Sequence, residues 1–537
     1  MTPVFSVTSS FFLIFFLFRL AVFPLAIAAP PPRGYYINCG AATEENIDGI
    51  PWIPDEGFVI GGNVSQIYTP GIIPLLSTLR YFPDTKARKS CFVIQVSKGS
   101  RYMVRTTYFY GGFDGGEEPP VFDQIIDGTR WSTVETSKNY AAGLTSYYEI
   151  MVAAQRKTIS VCLARNANTA SASSPFISAL EVVSLENSMY NSTNFAEYAL
   201  STIARHSFGH KNSFIRYPDD PFNRYWQSFI DTNPVVECHS NISSSDFWNF
   251  PPPAALMKGL TTSRGKDLHI NWPLMRAAAE RQREGRRARK RPERRAAYYL
   301  ALYFQDNRTP SSFSWRVFDV VINGKTFYQG LNVSTEGVMV YGSQWPLSGE
   351  TNIKLTPASD SPVGPVINAG EIFQIVPLGG RTLTRDVMAM ENIARSFTNP
   401  PPDWKGDPCL PKENSWAGVT CDINGGFARV AKLNLTNFGI SGVLSNSIGN
   451  LLAIRNIWLS GNKLAGKIPQ MGNLKELTCL RLAENELTGS IPSFLANLPK
   501  IKEIFLQNNK LSGPIPQSLK NKSGIDLRIS PGNQLEM

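Results

Sequence analysis

Near its C-terminus the chain repeats itself. "IRNIWLSGNKLAGKIP", "LTCLRLAENELTGSIP" and "IKEIFLQNNKLSGPIP" share one pattern, L-x-x-L-x-L-x-x-N-x-L-x-G-x-I-P. Asn462, Asn485 and Asn509 recur every 23 or 24 residues, and so do Gly442, Gly466, Gly489 and Gly513. A period of this length fixes the architecture more tightly than any other feature here: each copy is one coil that cannot bury its apolar face alone, so the coils must stack. The repeated Leu and Ile fill the coil interior and the Asn bonds backbone at the turn. An incomplete copy at Leu433 carries Phe438 where Asn is expected.

A solenoid also needs a cap at its first coil. "DWKGDPCLPKENSWAGVTC" (403–421) stands there, and Cys409 and Cys421, close in sequence and flanked by turn residues, are expected to pair. On the concave side the central column reads Asn434, Trp458, Arg481 and Phe505. Solvated positions would favour Ser, Thr, Lys or Asp. Trp and Arg dominate interface hot spots, so Trp458, Arg481 and Phe505 are a candidate protein-contact strip. Cys479 faces the same side, either as an exposed thiol or as a small semi-buried side chain.

A second repeat governs the first two-thirds. "VFDQIIDG" (121–128) precedes "PFISALEVV" (175–183), and "VFDVVING" (317–324) precedes "PVINAGEIF" (365–373) at similar spacing. Asp-Gly and Asn-Gly suit hairpin turns. Upstream of each lies an alternating aromatic and aliphatic run, from Tyr102 and from Tyr298, the signature of a strand. This duplication predicts two β-sandwich modules, 34–187 and 188–378, then a linker and cap (379–426) and repeats (427–537). The predicted fold class is mainly β.

The N-terminal "FFLIFFLFRLAVFPLAIAAPPP" combines an apolar core with the small-x-small Ala26-Ile27-Ala28, so residues 1–29 read as a signal peptide. Arg19 and Pro24 make it a poor membrane anchor, and no later stretch reaches the roughly 18 to 20 apolar residues of a span. The chain is therefore expected to be secreted and unanchored. Seven N-x-S/T acceptors agree with that compartment: Asn63, Asn191, Asn241, Asn307, Asn332, Asn434 and Asn521. Seven cysteines allow up to three bridges with one left over. Cys39, Cys91, Cys162 and Cys238 admit three connectivities among which the sequence does not choose, and Cys479 is the odd one.

Several segments carry a family resemblance. "YYINCGAATEENIDGIPWIPDEGF", "LRYFPD", "YFYGGFDG", "PFISALEVV" and "RYPDDPFNRYW" together resemble the plant malectin-like ectodomain, a tandem of two jelly-roll-like sandwiches. The G-x-I-P element resembles the plant-specific leucine-rich repeat. Malectin binds a diglucose unit through loop aromatics and an acid, and the plant tandem modules belong to receptor kinases associated with wall polysaccharide and secreted peptides. The resemblance thus implies a wall carbohydrate or secreted peptide as ligand, a membrane receptor kinase as a partner, and no cofactor. Aromatic rings stack on sugar faces while carboxylates bond the hydroxyls. By motif the candidates are Tyr108, Tyr110, Phe113, Asp114 and Trp131 in the first module, and Tyr303, Phe304, Asp306 and Trp315 in the second. Phe113 and Asp114, flanked by glycines, are the best pair, and a glycan on Asn307 would crowd Asp306.

Chemistry finds little support. His206 and His210 lack accompanying Glu or Cys ligands, so no metal site is expected. No nucleophile elbow, P-loop or kinase motif is present. Glu117-Glu118 and Asp219-Asp220 could be read as glycosidase carboxylates, but acidic pairs in turns are ordinarily solvated. The chain is therefore expected to be a secreted, non-catalytic recognition protein of the plant cell surface that binds carbohydrate through the malectin-like region and a protein partner through the repeats; the alternatives are a protein co-receptor or scaffold without sugar binding and, weakest, a hydrolase.

The net charge of +10 does not identify a nucleic-acid partner. Between Arg276 and Arg295 ten basic residues face three acidic ones, so one segment holds most of the excess and the rest is near neutral. The internal repeat places this run in a hairpin loop, 273–297, that takes four residues in the first copy. It has no apolar stripe to bury. Translated non-coding sequence, a tolerated loop, and an arm for acidic polysaccharide are its three readings.

Overall fold

The computed structural model describes residues 30–211, 214–239, 242, 247–272, 297–309, 315–347 and 349–536. The signal-peptide reading of 1–29, the acceptor Asn241 and the basic run up to residue 296 lie outside them.

The duplication is visible in the strand order. Gly34–Asn38, Ala179–Leu185, Arg101–Tyr108 and Ser146–Ala153 lie side by side in one sheet. Tyr198–Phe208, Ala369–Pro377, Ala297–Phe304 and Val338–Pro346 follow in the same order. The facing sheets repeat as well: Ser90–Gln95, Thr158–Arg165, Phe122–Ile126, Thr129–Val134 in the first copy, and Leu268–Trp272, Thr351–Pro357, Val317–Ile322, Lys325–Asn332 in the second. Asp127-Gly128 and Asn323-Gly324 turn the paired hairpins, all four with positive φ, as a type I′ turn requires.

The two modules share one sheet, because Ile150↔Ser201 and Met151↔Leu200 join their inner sheets. One expectation needs correction. The strands that flank the basic run, Leu268–Trp272 and Ala297–Phe304, belong to facing sheets and do not pair with each other, so they are not the two arms of a hairpin.

The shared sheet is covered on both faces. Along Ala297–Phe304, Tyr298, Leu300, Leu302 and Phe304 enter the sandwich core. Tyr299, Ala301 and Tyr303 enter a second core on the opposite face, under the segment that links the modules. This explains why these strands read as unbroken apolar runs.

The chain then turns back onto the first module. Arg381–Thr382 pairs with Phe427–Asn434, and the helix Thr384–Ser396 packs Met390 and Ile393 into the core of the repeats. Cys409 and Cys421 are bridged. Lys89 of the first module is buried against the cap, its Nζ donating to the carbonyls of Asp407 (2.6 Å) and Leu410 (2.8 Å). Burial pulls that amine down to about 8. Arg156 reaches Asp407 at 2.8 Å across the same contact.

In the array, Phe427–Asn434, Asn456–Trp458, Cys479–Arg481, Glu503–Phe505 and Asp526–Arg528 form a parallel sheet. Asn462 accepts from Ile440 N (2.9 Å) and donates to the Leu435 (2.8 Å) and Leu459 (2.9 Å) carbonyls, and Asn485 and Asn509 repeat the arrangement. Asn533 extends it one coil further than the repeat motif indicates. Phe438, in the incomplete copy, points to solvent.

Only two disulfides form among the described residues. Cys91 and Cys162 are register partners on antiparallel strands and bridge at a Cα separation of 4.0 Å. Cys39 and Cys238 are buried and free, so the allowance of three bridges is not filled.

Candidate functional site

The sandwich candidates divide sharply by burial. Tyr108, Tyr303 and Phe304 are at most 1% exposed, because their strands are covered on both faces. Tyr108 donates to Gln124 Oε1 (3.0 Å) and Tyr303 to Glu371 Oε2 (2.6 Å). Tyr110 and Trp131 are also buried, Trp131 donating through Nε1 to Ser201 Oγ at 3.0 Å. Asp306 is buried and spoken for by Arg308 and, at 3.6 Å, by Arg316. Those arginines hold its carboxyl below the usual carboxylate range against the opposing pull of burial. These six side chains are buried and build the protein, and none offers an open ring face or free carboxylate to a sugar. Trp315 is half-buried.

Phe113 and Asp114 differ. Gly111, Gly112 and Gly115 all take positive φ, and the loop they form lifts both residues out of the sheet. Phe113 is half-exposed, backed by Tyr81 (5.0 Å between centroids), Phe176 (5.3 Å) and Tyr110 (5.4 Å). Asp114 is exposed and accepts from Tyr110 Oη and from Gly116 N (3.1 Å). A ring with an open side next to a fixed carboxylate can stack on and bond a polar ring such as a sugar.

Where the modules meet, the structure holds a feature the sequence reading did not identify. Glu149 accepts from Arg105 (2.7 Å) and Arg205 (2.7 Å), Glu181 pairs with Arg105 (2.9 Å), and Glu371 with Arg205 (2.6 Å). All five are at most 3% exposed. Asn223 donates to Glu181 and Tyr190 to Glu371. The Tyr225 ring covers the Arg105 guanidinium at 3.5 Å. The two arginines hold the Glu149 carboxyl down at about 2 although burial opposes them. Glu181 and Glu371 occupy the same place in "PFISALEVV" and "PVINAGEIF", which was the one available signal.

The repeats align the strip. Asn434, Trp458, Arg481, Phe505 and Arg528 are successive register partners across the parallel strands. Lys432 Nζ lies 3.6 Å from the Trp458 ring centre, and Arg481 lies 4.8 Å from Trp458 and 5.1 Å from Phe505. Arg528 lies 4.3 Å from Phe505. The column is therefore a ladder of alternating rings and cations, each half-buried or exposed. Arg528 was missed because its coil, which keeps Leu527, Ile529, Asn533 and Leu535, inserts one residue between Ile529 and Asn533 and so departs from the motif's spacing. The 24-residue step from Asn509 to Asn533 was the signal that could have found it. Glu503 closes the side, accepting from Arg481 (2.7 Å) and from Cys479 Sγ (2.9 Å). Cys479 is buried, so it is not the exposed thiol of the sharper reading. Burial and the Glu503 carboxylate push its thiol up.

His206 lies in a strand, its Nδ1 accepting from Trp272 Nε1 (3.0 Å), and burial pushes it down to about 4. No group of metal-binding side chains occurs among the described residues. Glu117 and Glu118 are exposed, whereas Asp220 is buried between Arg224 (2.9 Å) and Trp226 Nε1 (2.7 Å), so the second acidic pair does not line a cleft. Of the acceptors described, Asn63, Asn191, Asn332 and Asn521 are exposed, and Asn307 and Asn434 are half-buried. No helix among the described residues is long and apolar enough to cross a membrane.

Comparison with known proteins agrees with this architecture. A family model described as "Malectin-like domain" matches residues 37–375, and "Leucine Rich Repeat" matches 476–498 and 500–522. A receptor-like protein kinase of Arabidopsis thaliana is 28% identical over 448 residues, covering 80% of this chain and 47% of its own length. The probable LRR receptor-like serine/threonine-protein kinase MEE39 of the same plant is 27% identical over 431 residues, 77% of this chain and 46% of its own. The chain thus spans about half the length of the curated relatives it matches. Among solved structures, the Arabidopsis thaliana ANXUR2 extracellular domain has a TM-score of 0.52 at 14% identity, over 64% of this chain and 96% of that one. FER, in its complex with the plant peptide RALF23 and LLG2, has a TM-score of 0.50 at 16% identity, over 64% and 96%. These two likenesses show the fold.

Proposed function

Because the chain belongs to the malectin-like domain family, we propose that it is a non-catalytic recognition module of the plant cell surface, secreted into the wall space and glycosylated. Its inner repeat face is the contact surface for a secreted peptide or a partner receptor. The observation that carries this reading is the ladder Trp458–Arg481–Phe505–Arg528. Rings and guanidinium groups held in register on a rigid sheet lose little entropy on binding, and Trp and Arg concentrate binding energy when a partner excludes water from them. The ladder needs no partner to form, so it is prepared in advance. A fold relative solved with a plant peptide makes a secreted peptide the first class to test. A glycan on Asn434 would bound the surface at one end, leaving Trp458 to Arg528 open.

The test is capture of secreted peptides and receptor ectodomains by the immobilised chain, repeated with Trp458→Ala and Phe505→Ala together. Loss of two hot-spot rings is expected to weaken capture by about 2 kcal/mol or more, roughly thirtyfold, with an unchanged melting temperature. Capture unaffected by the double variant would overturn the reading.

A second reading, wall carbohydrate, is favoured by one observation: Phe113 and Asp114 are the candidates that the glycine loop brings to the surface. Glycan-array binding lost in Phe113→Ala but kept in Trp458→Ala would support it.

A further inference from the structure

The internal repeat shows what happens at the outer edge of the first module. There Ser146–Ala153 is followed in the sheet by Tyr198–Phe208, antiparallel, so the edge is covered by another strand. The counterpart in the second module is Val338–Pro346, which pairs inward with Ala297–Phe304. Among the described residues no strand pairs with its outer side.

Within residues 338–342 that edge has none of the devices that usually keep an exposed strand from pairing; its bulge and Pro346 lie further along. Its regular part, 338–342, reads Val-Met-Val-Tyr-Gly, without charge or Pro. A bulge interrupts the ladder only between Gly342 and Trp345. The flank is aromatic as well: Tyr341 is 36% exposed and Trp248 62% exposed, their rings 5.9 Å apart. Met339 is half-buried and shares the face of Tyr341, since side chains alternate along a strand.

We propose that residues 338–342 pair with the same residues of a second copy of this chain, antiparallel about a two-fold axis at Val340. The repeat indicates the occupant, an antiparallel strand continuing the sheet. The segment's own chemistry indicates whose strand it is. Laid against itself it sets Val340 opposite Val340, Val338 opposite Gly342, and Met339 opposite Tyr341, so no like charges meet. Methionine sulfur against a tyrosine ring is favourable, and each Trp248 then closes over the pair. The inference is independent of the ladder on the repeats and goes beyond the recognition reading.

The contact is one strand edge and a few rings, so the association is expected to be weak, micromolar or above. Sedimentation velocity on the full glycosylated chain should show a concentration-dependent dimer. Tyr341→Lys, which sets a charge on the edge, should weaken it by about tenfold or more while circular dichroism shows the fold retained. Register is tested by oxidation. Chains carrying Met339→Cys mixed with chains carrying Tyr341→Cys should form a disulfide-linked dimer. Each variant alone should not, because its own pair would be diagonal neighbours about 7 Å apart. A monomer at all soluble concentrations, equal crosslinking in the single variants, or a dimer unaffected by Tyr341→Lys would each overturn the proposal. So would a monomeric chain whose edge instead captures an unrelated peptide strand.

Discussion

Glu149→Gln is the most incisive test of what holds the two modules together. Gln is nearly isosteric with Glu, so the substitution opens no cavity and isolates the charge. In the native chain Glu149 bonds Arg105 at 2.7 Å, Arg205 at 2.7 Å and Thr202 Oγ1 at 2.9 Å. Neutralising it leaves each arginine with one remaining carboxylate, Glu181 or Glu371. Two routes give the magnitude. Removing one partner from a buried ion pair costs about 3–5 kcal/mol. Holding the carboxyl at about 2 instead of 4.5 corresponds to about 3 kcal/mol at 1.36 kcal/mol per pH unit. For a cooperative unit the size of residues 37–375, the usual unfolding entropy converts 3 kcal/mol into a fall of about 4 °C in melting temperature. The assay is thermal unfolding followed by circular dichroism across acid pH. A carboxylate with a lowered folded pKa stabilises fully above its unfolded value and loses that contribution as pH falls toward the folded one. Native protein should therefore lose about 3 kcal/mol between pH 4.5 and 2 on this account, and Glu149→Gln should lack that part of the acid limb. A variant that melts within about 1 °C of the native chain, with a parallel acid limb, would refute the claim that this network joins the modules.

His206 should produce a second, milder acid transition. Its folded pKa of about 4 lies below the ordinary 6.5, so the unfolded chain binds the proton first, and stability should fall by about 3 kcal/mol as pH drops from 6.5 to 4. His206→Gln should flatten that limb in a denaturant series at stepped pH. Asn485→Ala should cost about 2–3 kcal/mol in urea unfolding of the chain, because Leu464 N and the Leu459 and Leu482 carbonyls lose their buried partner. The Trp458/Phe505 pair, by contrast, is expected to change partner capture and leave melting alone.

The two repeats made most of the architecture legible. Leucine and asparagine spacing determined the coils, and the paired V-F-D and P-x-I-x-A-x-E skeletons determined a duplicated β module. The concave column was readable for the same reason: in a solenoid, sequence period and spatial register coincide, so Trp458, Arg481 and Phe505 had to align. Arg528 escaped because one extra residue between Ile529 and Asn533 breaks the motif's spacing, although Leu527 and Leu535 are kept. The glycine-flanked Phe113 and Asp114 were also legible, since Gly111, Gly112, Gly115 and Gly116 around them favour a loop over a strand.

Tyr108, Tyr303 and Phe304 were misplaced for the opposite reason. An aromatic strand looks the same whether one face or both are covered, and the covering segment comes from elsewhere in the chain. Cys409 and Cys421 were legible as a local pair, but the Cys91–Cys162 bridge was hidden: those two became neighbours only through the register of strands 71 residues apart in sequence. The Glu181–Arg105–Glu149–Arg205–Glu371 network is the clearest case. Each member alone reads as a polar residue in a strand, and nothing local requires a partner. Periodicity is a short-range property that the sequence carries by itself. Whether a charge or a ring is buried depends on strands brought together from 105 to 371, and only the tertiary structure decided that.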